Sequence, residues 1–336
     1  MITRRDWLRG MGATAALALA RPGLRAQTAA GTPATMQLGW IWNVEYAGEL
    51  MAEVNGHYAA EGLDLDLRPG GPQVDETVMV MARKAIVTAS DVMTAGQATN
   101  HGAHLKLIAA TFQRVAFSIT SLPDKPIRTP HDLPGKKIGA ATKQLWALKF
   151  LCAANKIDPA SLTLLPVGFD PAPLVNRQVD GFLSFVTNQP VQLAAQGIET
   201  VSMVFADYGL SEFSDNLAVR ADTLADPAQR ALVVKILRGT IRGWQDAIAK
   251  PEAAAQAMVA RYGAQYGLNE AVQLATMRAQ MPFLTSAETA KNGLLSMSEE
   301  TIAANIAMMA AVGVPIRRDL FDTTLLQEIF QGRAQV

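Results

Sequence analysis

The sequence is short of cysteine, of aromatic residues and of net charge, and these shortages exclude several kinds of protein. Cys152 is the only cysteine among 336 residues. That excludes a disulfide framework and any zinc or iron–sulfur site built from several thiolates. Thirty basic residues balance thirty acidic ones, so the chain lacks the basic excess of a nucleic-acid binder. Beyond the N-terminus no uncharged apolar run is long enough for a membrane span, which needs roughly 18 residues or more. Aromatics make up only 6% of the chain, which makes the cluster at Trp40, Trp42 and Tyr46 conspicuous. What is present is length and apolar content, 49% hydrophobic residues, enough for about two domains with substantial cores.

The first 26 residues differ from the rest. Arg4 and Arg5 precede Trp7 and Leu8, a small apolar stretch runs from Gly10 to Ala20, and Ala26 stands at a candidate cleavage point. A charged start, a short apolar middle and a small residue at the end form an export signal, and the paired arginines are of the twin-arginine kind. Cleavage is expected after Ala26, followed by a disordered start over 27–35 and a mature chain in the periplasm. No cysteine lies near the cleavage point, which excludes a lipid anchor there. The leader holds five Arg and one Asp, leaving 25 basic and 29 acidic residues in the remainder.

From Met36 the hydrophobic period switches repeatedly between two and 3.6. Strands are expected at 36–42, 63–67, 85–88 and 105–110, with helices over 49–61 and 74–83 between them. A second unit repeats the rhythm, with strands at 137–140, 162–167, 181–185 and 201–205 and helices over 143–156, 171–176 and 188–196. This order predicts parallel sheets covered by helices. Apolar stretches at 116–120 and 217–220 bracket the second unit and read as two strands crossing between domains. Beyond Pro227 the chain turns helical: Val233, Ile236, Leu237, Thr240, Ile241, Trp244 and Ile248 share one helix face, and Ser298 caps a later helix. The predicted fold is α/β with two lobes, 36–118 plus 219–336 and 119–218, hinged on two crossing strands with a ligand in the interlobe cleft, the type II arrangement of periplasmic binding proteins.

In such lobes ligands sit beyond the carboxyl ends of the strands, which selects the candidate site. Trp40, Trp42 and Tyr46 offer flat faces for stacking, and Asn43 and Glu45 can bond the polar edge of a ring. Trp40 and Trp42 share one face of an alternating strand, so core packing is the alternative for both. Gly70 and Gly71 would present backbone N–H groups ahead of a helix. Ser90, Asp91, Phe112 and Gln113 follow strands of the first lobe. Gln144, Trp146, Phe185, Asn188, Gln189, Tyr208 and Glu212 occupy the corresponding ends in the second. Capping and turn formation are the competing roles for each.

Catalytic and metal patterns are missing. The four histidines (His57, His101, His104, His131) lack ligand spacing with a cysteine or a matching pair, and Cys152 falls within an apolar helix. The sequence has no Gly-x-Ser-x-Gly elbow, Walker loop or Gly-x-Gly-x-x-Gly fingerprint. No catalytic residue, cofactor or metal is therefore expected.

The segments Trp40 to Gly48, Gly56 to Asp64, Pro69 to Gly71, Asp132 to Gly139, Gln178 to Phe182 and Thr187 to Pro190 together resemble the bacterial solute-binding proteins of the thiamine-pyrimidine type. That type belongs to a wider group binding sulfonates, nitrate and riboflavin. The Glu61-Gly62-Leu63 and Asp132-Leu133 motifs are common to the whole group, whereas Trp40 to Gly48 is closer to its pyrimidine and flavin branch. The resemblance implies a monomeric receptor that delivers a small heteroaromatic compound, a thiamine pyrimidine precursor or a riboflavin-like ring, to an inner-membrane ABC permease and its ATPase. Tyr46 stands where many pyrimidine binders and the fungal pyrimidine synthases have His, and Gln189 where relatives often have Glu. The rival readings are a receptor for sulfonate, taurine or nitrate and a pyrimidine-synthase-like enzyme; a single cysteine cannot supply the Cys-rich motif of the fungal enzymes.

Overall fold

The computed structural model of the protein describes residues 31–71, 73–210 and 213–335. The expected leader over 1–26, residues 27–30 and Glu212 lie outside the described residues. Within them the chain forms, in order, β1 (Thr32–Gln37), β2 (Leu63–Arg68), β3 (Val87–Ser90), β4 (Leu105–Phe112), β5 (Phe117–Ser121), β6 (Lys137–Ala140), β7 (Thr163–Pro166), β8 (Gly181–Phe185), β9 (Val201–Val204) and β10 (Ser214–Arg220). These strands make two sheets, β2-β1-β3-β10-β4 and β7-β6-β8-β5-β9, with helices packed around them.

The expected disordered start is corrected from Thr32 onward. β1 runs parallel to β2 from Thr32 beside Leu63 to Gln37 beside Arg68. The Thr32 amide donates to Gly62, so the N–H that Pro33 lacks falls on the opposite side. There β3 pairs only with Met36 and Gln37, and the proline interrupts no ladder. The strand also ends earlier than expected. At Gln37 the side-chain amide donates to the carbonyls of Leu38, Arg68 and Pro69, and Trp40 and Trp42 fall in the irregular segment that follows.

The sheets are mixed rather than wholly parallel. β1 is parallel to β2 and β3, and β6 to β7 and β8. β10 is antiparallel to β3 and β4, and β5 to β8 and β9. Each antiparallel strand is one that enters from the other half of the molecule, so it is free of the crossover geometry that keeps βαβ strands parallel. The crossings themselves are short, at 113–116 and 205–213. β10 pairs with the first sheet along its whole length, including the residues before 219 expected in the second lobe.

The helix expected over 49–61 is two helices, Ala47–Val54 and His57–Ala60, separated at Gly56, whose φ of 73° is left-handed. Ala47–Val54 packs on the long helix Pro227–Ala249, which carries the expected apolar face. Glycine makes that approach possible: a Cβ on Gly243 would lie 2.0 Å from the Gly48 carbonyl oxygen. The Trp244 ring occupies the space where a Gly48 side chain would stand. A further apolar cluster runs through both sheets, joining Leu107 and Ala218 to Ile119, Ile138 and Leu183, so the halves share core at the crossing. No helix of the described residues is long and apolar enough to cross a membrane.

Candidate functional site

A cleft of about 1050 Å³ opens beyond the carboxyl ends of the strands of both sheets. From the first sheet come Gly39, Trp40, Glu45 and Tyr46 after β1, Gly71 after β2, and Ser90 and Asp91 at the end of β3. From the second come Thr142, Gln144 and Trp146 after β6, Phe169 after β7, and Phe185, Asn188 and Gln189 around the end of β8. Convergence of backbone ends explains the location: strand ends of one α/β unit all point the same way, so their loops gather at one edge.

The turn carrying Trp40 to Tyr46 is clamped from behind. Gln273 Oε1 accepts from the Val44 amide at 2.9 Å, and Gln280 Nε2 donates to the Val44 carbonyl at 2.6 Å. Both glutamines belong to the helix Glu270–Leu284. Asn43 accepts from the Glu45 amide at 2.7 Å and so begins the short helix Val44–Tyr46. With Asn43 used as a cap, Glu45 and Tyr46 join Trp40 as the residues of this turn that line the cleft.

Aromatic rings line both walls. Trp40 from the first half meets Phe169 from the second edge to face, with centroids 4.7 Å apart and planes at 69°. Behind them Phe117 contacts Phe185 at 4.7 Å and Trp146 at 5.9 Å, both edge to face. Gln189 fixes the Phe185 end of the wall, its Oε1 accepting from the Phe185 amide at 2.9 Å and its Nε2 donating to the Phe169 carbonyl at 3.4 Å.

The floor is acidic. Glu45, Asp75, Glu76, Asp91 and Asp215 line the cleft, against Lys149 as the one basic residue among the described lining. Ser214 Oγ donates to Asp91 Oδ1 at 3.1 Å. Burial raises the pKa of Asp91. Burial also raises that of Glu45, outweighing hydrogen bonds to Asp215 and Asn43 that pull it down. Asp215 rises well above the ordinary carboxylate value through burial first, then through the charges of Glu45 and Asp91. The Tyr46 hydroxyl is likewise pushed well up, by burial and then by Glu45.

Of the expected site residues, the cleft brings together Trp40, Glu45, Tyr46, Gly71, Ser90, Asp91, Gln144, Trp146, Phe185, Asn188 and Gln189. The others among the described residues are elsewhere. Trp42 is 2% exposed and lies in the core against Tyr262. Gly70 donates its amide to the Trp40 carbonyl, and its α-carbon packs on the backbone of Leu38 and Gly39. Phe112 is buried core, and Gln113 ties the crossing to the carbonyls of Ala110 and Ser296. Tyr208 donates its hydroxyl to the Arg128 carbonyl within the second half. Asp215, Ser214, Phe117 and Phe169 were missed. Asp215 stands only two residues before the stretch read as the returning strand, and that strand's true start at Ser214 is the signal that would have found it.

Two mixed sheets, short double crossings and a cleft between the strand ends define the two-lobe fold of periplasmic binding proteins. The chain belongs to the NMT1/THI5-like family, whose model matches residues 43–254. It is 27% identical over 273 residues to the riboflavin-binding protein RibY of Chloroflexus aurantiacus, covering 77% of this chain and 75% of that one. Among solved structures it is similar to the periplasmic aliphatic sulphonate binding protein SsuA from Escherichia coli, with a TM-score of 0.66 and 12% identity over 90% of this chain and 97% of that one. It is also similar to the desulfurization enzyme DSZB, with a TM-score of 0.57 and 13% identity over 89% of this chain and 99% of that one.

Proposed function

We propose that this protein is the periplasmic substrate-binding subunit of an ABC importer and that it captures a small planar heteroaromatic compound. Closure of two lobes, one on each sheet, would take place about the crossings at 113–116 and 205–213. The captured compound would be handed to an inner-membrane permease driven by its ATPase. The observation that carries this reading is the Trp40–Phe169 contact between cleft-lining residues of the two sheets, backed by Phe117, Phe185 and Trp146. Flat rings on both walls suit a flat ligand, and polar groups along the edges set its identity. A ring nitrogen or carbonyl buried without a partner costs roughly 1–3 kcal/mol. Similarity to a riboflavin-binding relative favours the heteroaromatic class.

The composition of the cleft weighs against the rivals. A sulfonate or nitrate receptor needs donors that outweigh its acids, whereas here Lys149 and the amides of Gln144, Asn188 and Gln189 face five carboxyls and no arginine is among the described lining residues. Likeness to DSZB raises the enzyme reading, but neither Cys152 nor any of the four histidines lines the cleft. Native mass spectrometry of the exported protein should show a heteroaromatic compound travelling with it. Thermal-shift assays against aminopyrimidines, riboflavin, taurine and nitrate then rank the classes. A ligand at 100 times its dissociation constant adds roughly 2.7 kcal/mol of stability. Stabilisation by the anions and by no heterocycle would overturn the proposal.

A further inference from the structure

The same cleft holds a second kind of chemistry, and its reading rests on the cleft being the heteroaromatic site proposed above. We infer that Glu45, Asp91 and Asp215 form a cation subsite that selects ligands carrying a protonated ring or exocyclic nitrogen, such as an aminopyrimidinium, over neutral rings of the same size.

These three carboxyls reach the floor from separate parts of the chain: the turn after β1, the end of β3 and the start of β10. None of them enters an ion pair with another described residue. Glu61, by contrast, is paired with both Arg238 and Arg242 at 2.9 Å, while Glu49, outside the cleft lining, is buried without an ion pair. A carboxylate drawn out of water without a counter-charge is costly, and these three, unlike Glu49, line an open cleft from which a partner can reach them.

Two further observations point to that partner. Asp215 Oδ2 is buried and accepts from no N–H or hydroxyl of the described residues, its carboxyl neighbour being Glu45. Tyr46, 3% exposed and lining the same floor, has a hydroxyl that bonds to no other described residue. A ligand presenting N–H donors to these acids and one polar atom to Tyr46 would satisfy both. The described residues offer no group of three His, Cys, Asp or Glu placed to hold a metal ion, so the fitting cation is organic. The aromatic walls add to this choice, since ring faces attract cations as well as flat molecules.

The test is calorimetric titration of the whole exported protein with an aminopyrimidine, the matching neutral pyrimidinone, an N-methylated aminopyridinium of fixed charge, and choline. The expected result is that the aminopyrimidine and the fixed cation bind at least about tenfold tighter than the pyrimidinone. That ratio should shrink towards one in both Glu45→Gln and Asp91→Asn, each checked for folding by its thermal transition. Equal binding of the charged and neutral rings, or an unchanged ratio in either folded variant, overturns the cation subsite while leaving the heteroaromatic reading standing. Choline binding without any ring compound does the reverse. Binding of none of the four overturns both, and saturable binding of zinc or calcium at this floor replaces the organic cation with a metal.

Discussion

Trp42 lies flat on Tyr262, with ring centroids 4.4 Å apart and planes only 8° from parallel. The stack joins the segment after β1 to the helix Pro251–Tyr266, and it faces away from the cleft that Trp40 lines. Two tryptophans separated by one residue thus have different jobs. Replacing Trp42 with Ala should cost about 3–5 kcal/mol of stability, as removal of a large core ring does. Urea unfolding measures it, and a change below about 1 kcal/mol would contradict the core assignment.

Trp40→Ala is expected to behave oppositely. Its ring is half-buried, lines the cleft and touches Phe169. Removal should weaken binding of the compound identified by mass spectrometry at least about tenfold, because a stacking ring contributes roughly 1–3 kcal/mol. Affinity that stays at the wild-type value in a folded variant would remove Trp40 from the site.

Glu49 supplies a pH dependence. It is 2% exposed in the helix Ala47–Val54, and its pKa is raised from 4.5 to about 7, chiefly by burial and also by the charge of Glu45. Below the unfolded value the carboxyl is protonated in both states and contributes nothing. As pH rises from there towards 7 the unfolded chain gives up the proton while the folded chain keeps it, so stability falls and levels off once the folded group also ionises. Glu49→Gln escapes this loss. It should match the wild type near pH 4 and exceed it by roughly 3 kcal/mol near pH 8. A constant difference across that range, read by denaturant unfolding, would contradict the assignment.

Gly243→Ala tests the approach of the two helices behind the site. The new methyl would meet backbone, the Gly48 carbonyl oxygen, at 2.0 Å. Backbone in a packed helix cannot step aside as a side-chain tip can, so a loss of about 1–3 kcal/mol is expected. A thermal transition at or above the wild-type temperature would show that the helices separate without penalty.

Much of the architecture was legible because its signals are local. The strands Lys137–Ala140 and Gly181–Phe185 fall where the two-residue period placed them, and Ser298 caps its helix by accepting from the Thr301 amide. The alternation of strand and helix was enough to imply two α/β units and a site at their strand ends. Tyr46, Asp91 and Trp146 line the cleft at the strand ends where that argument placed them.

What failed depended on contacts between distant segments. An alternating pattern runs through Trp40 and Trp42, but the strand stops at Gln37. The following turn is then bent by clamps from Gln273 and Gln280, more than 220 residues away. The direction of β5 and β10 was equally hidden, since antiparallel entry depends on which half of the molecule the chain has just left.

The sequence by itself therefore determined the α/β character, the two-unit plan, and the class of residues that would surround a ligand. Hydrophobic period, turn residues and caps act within a few residues of one another, and those are readable in order. Only the tertiary structure decided which aromatic faces the cleft, that Phe169 meets Trp40 across it, and that Glu45, Asp91 and Asp215 share its floor. Their meeting depends on how two sheets pack and where the chain crosses between them, and electrostatic character belongs to that assembled surface.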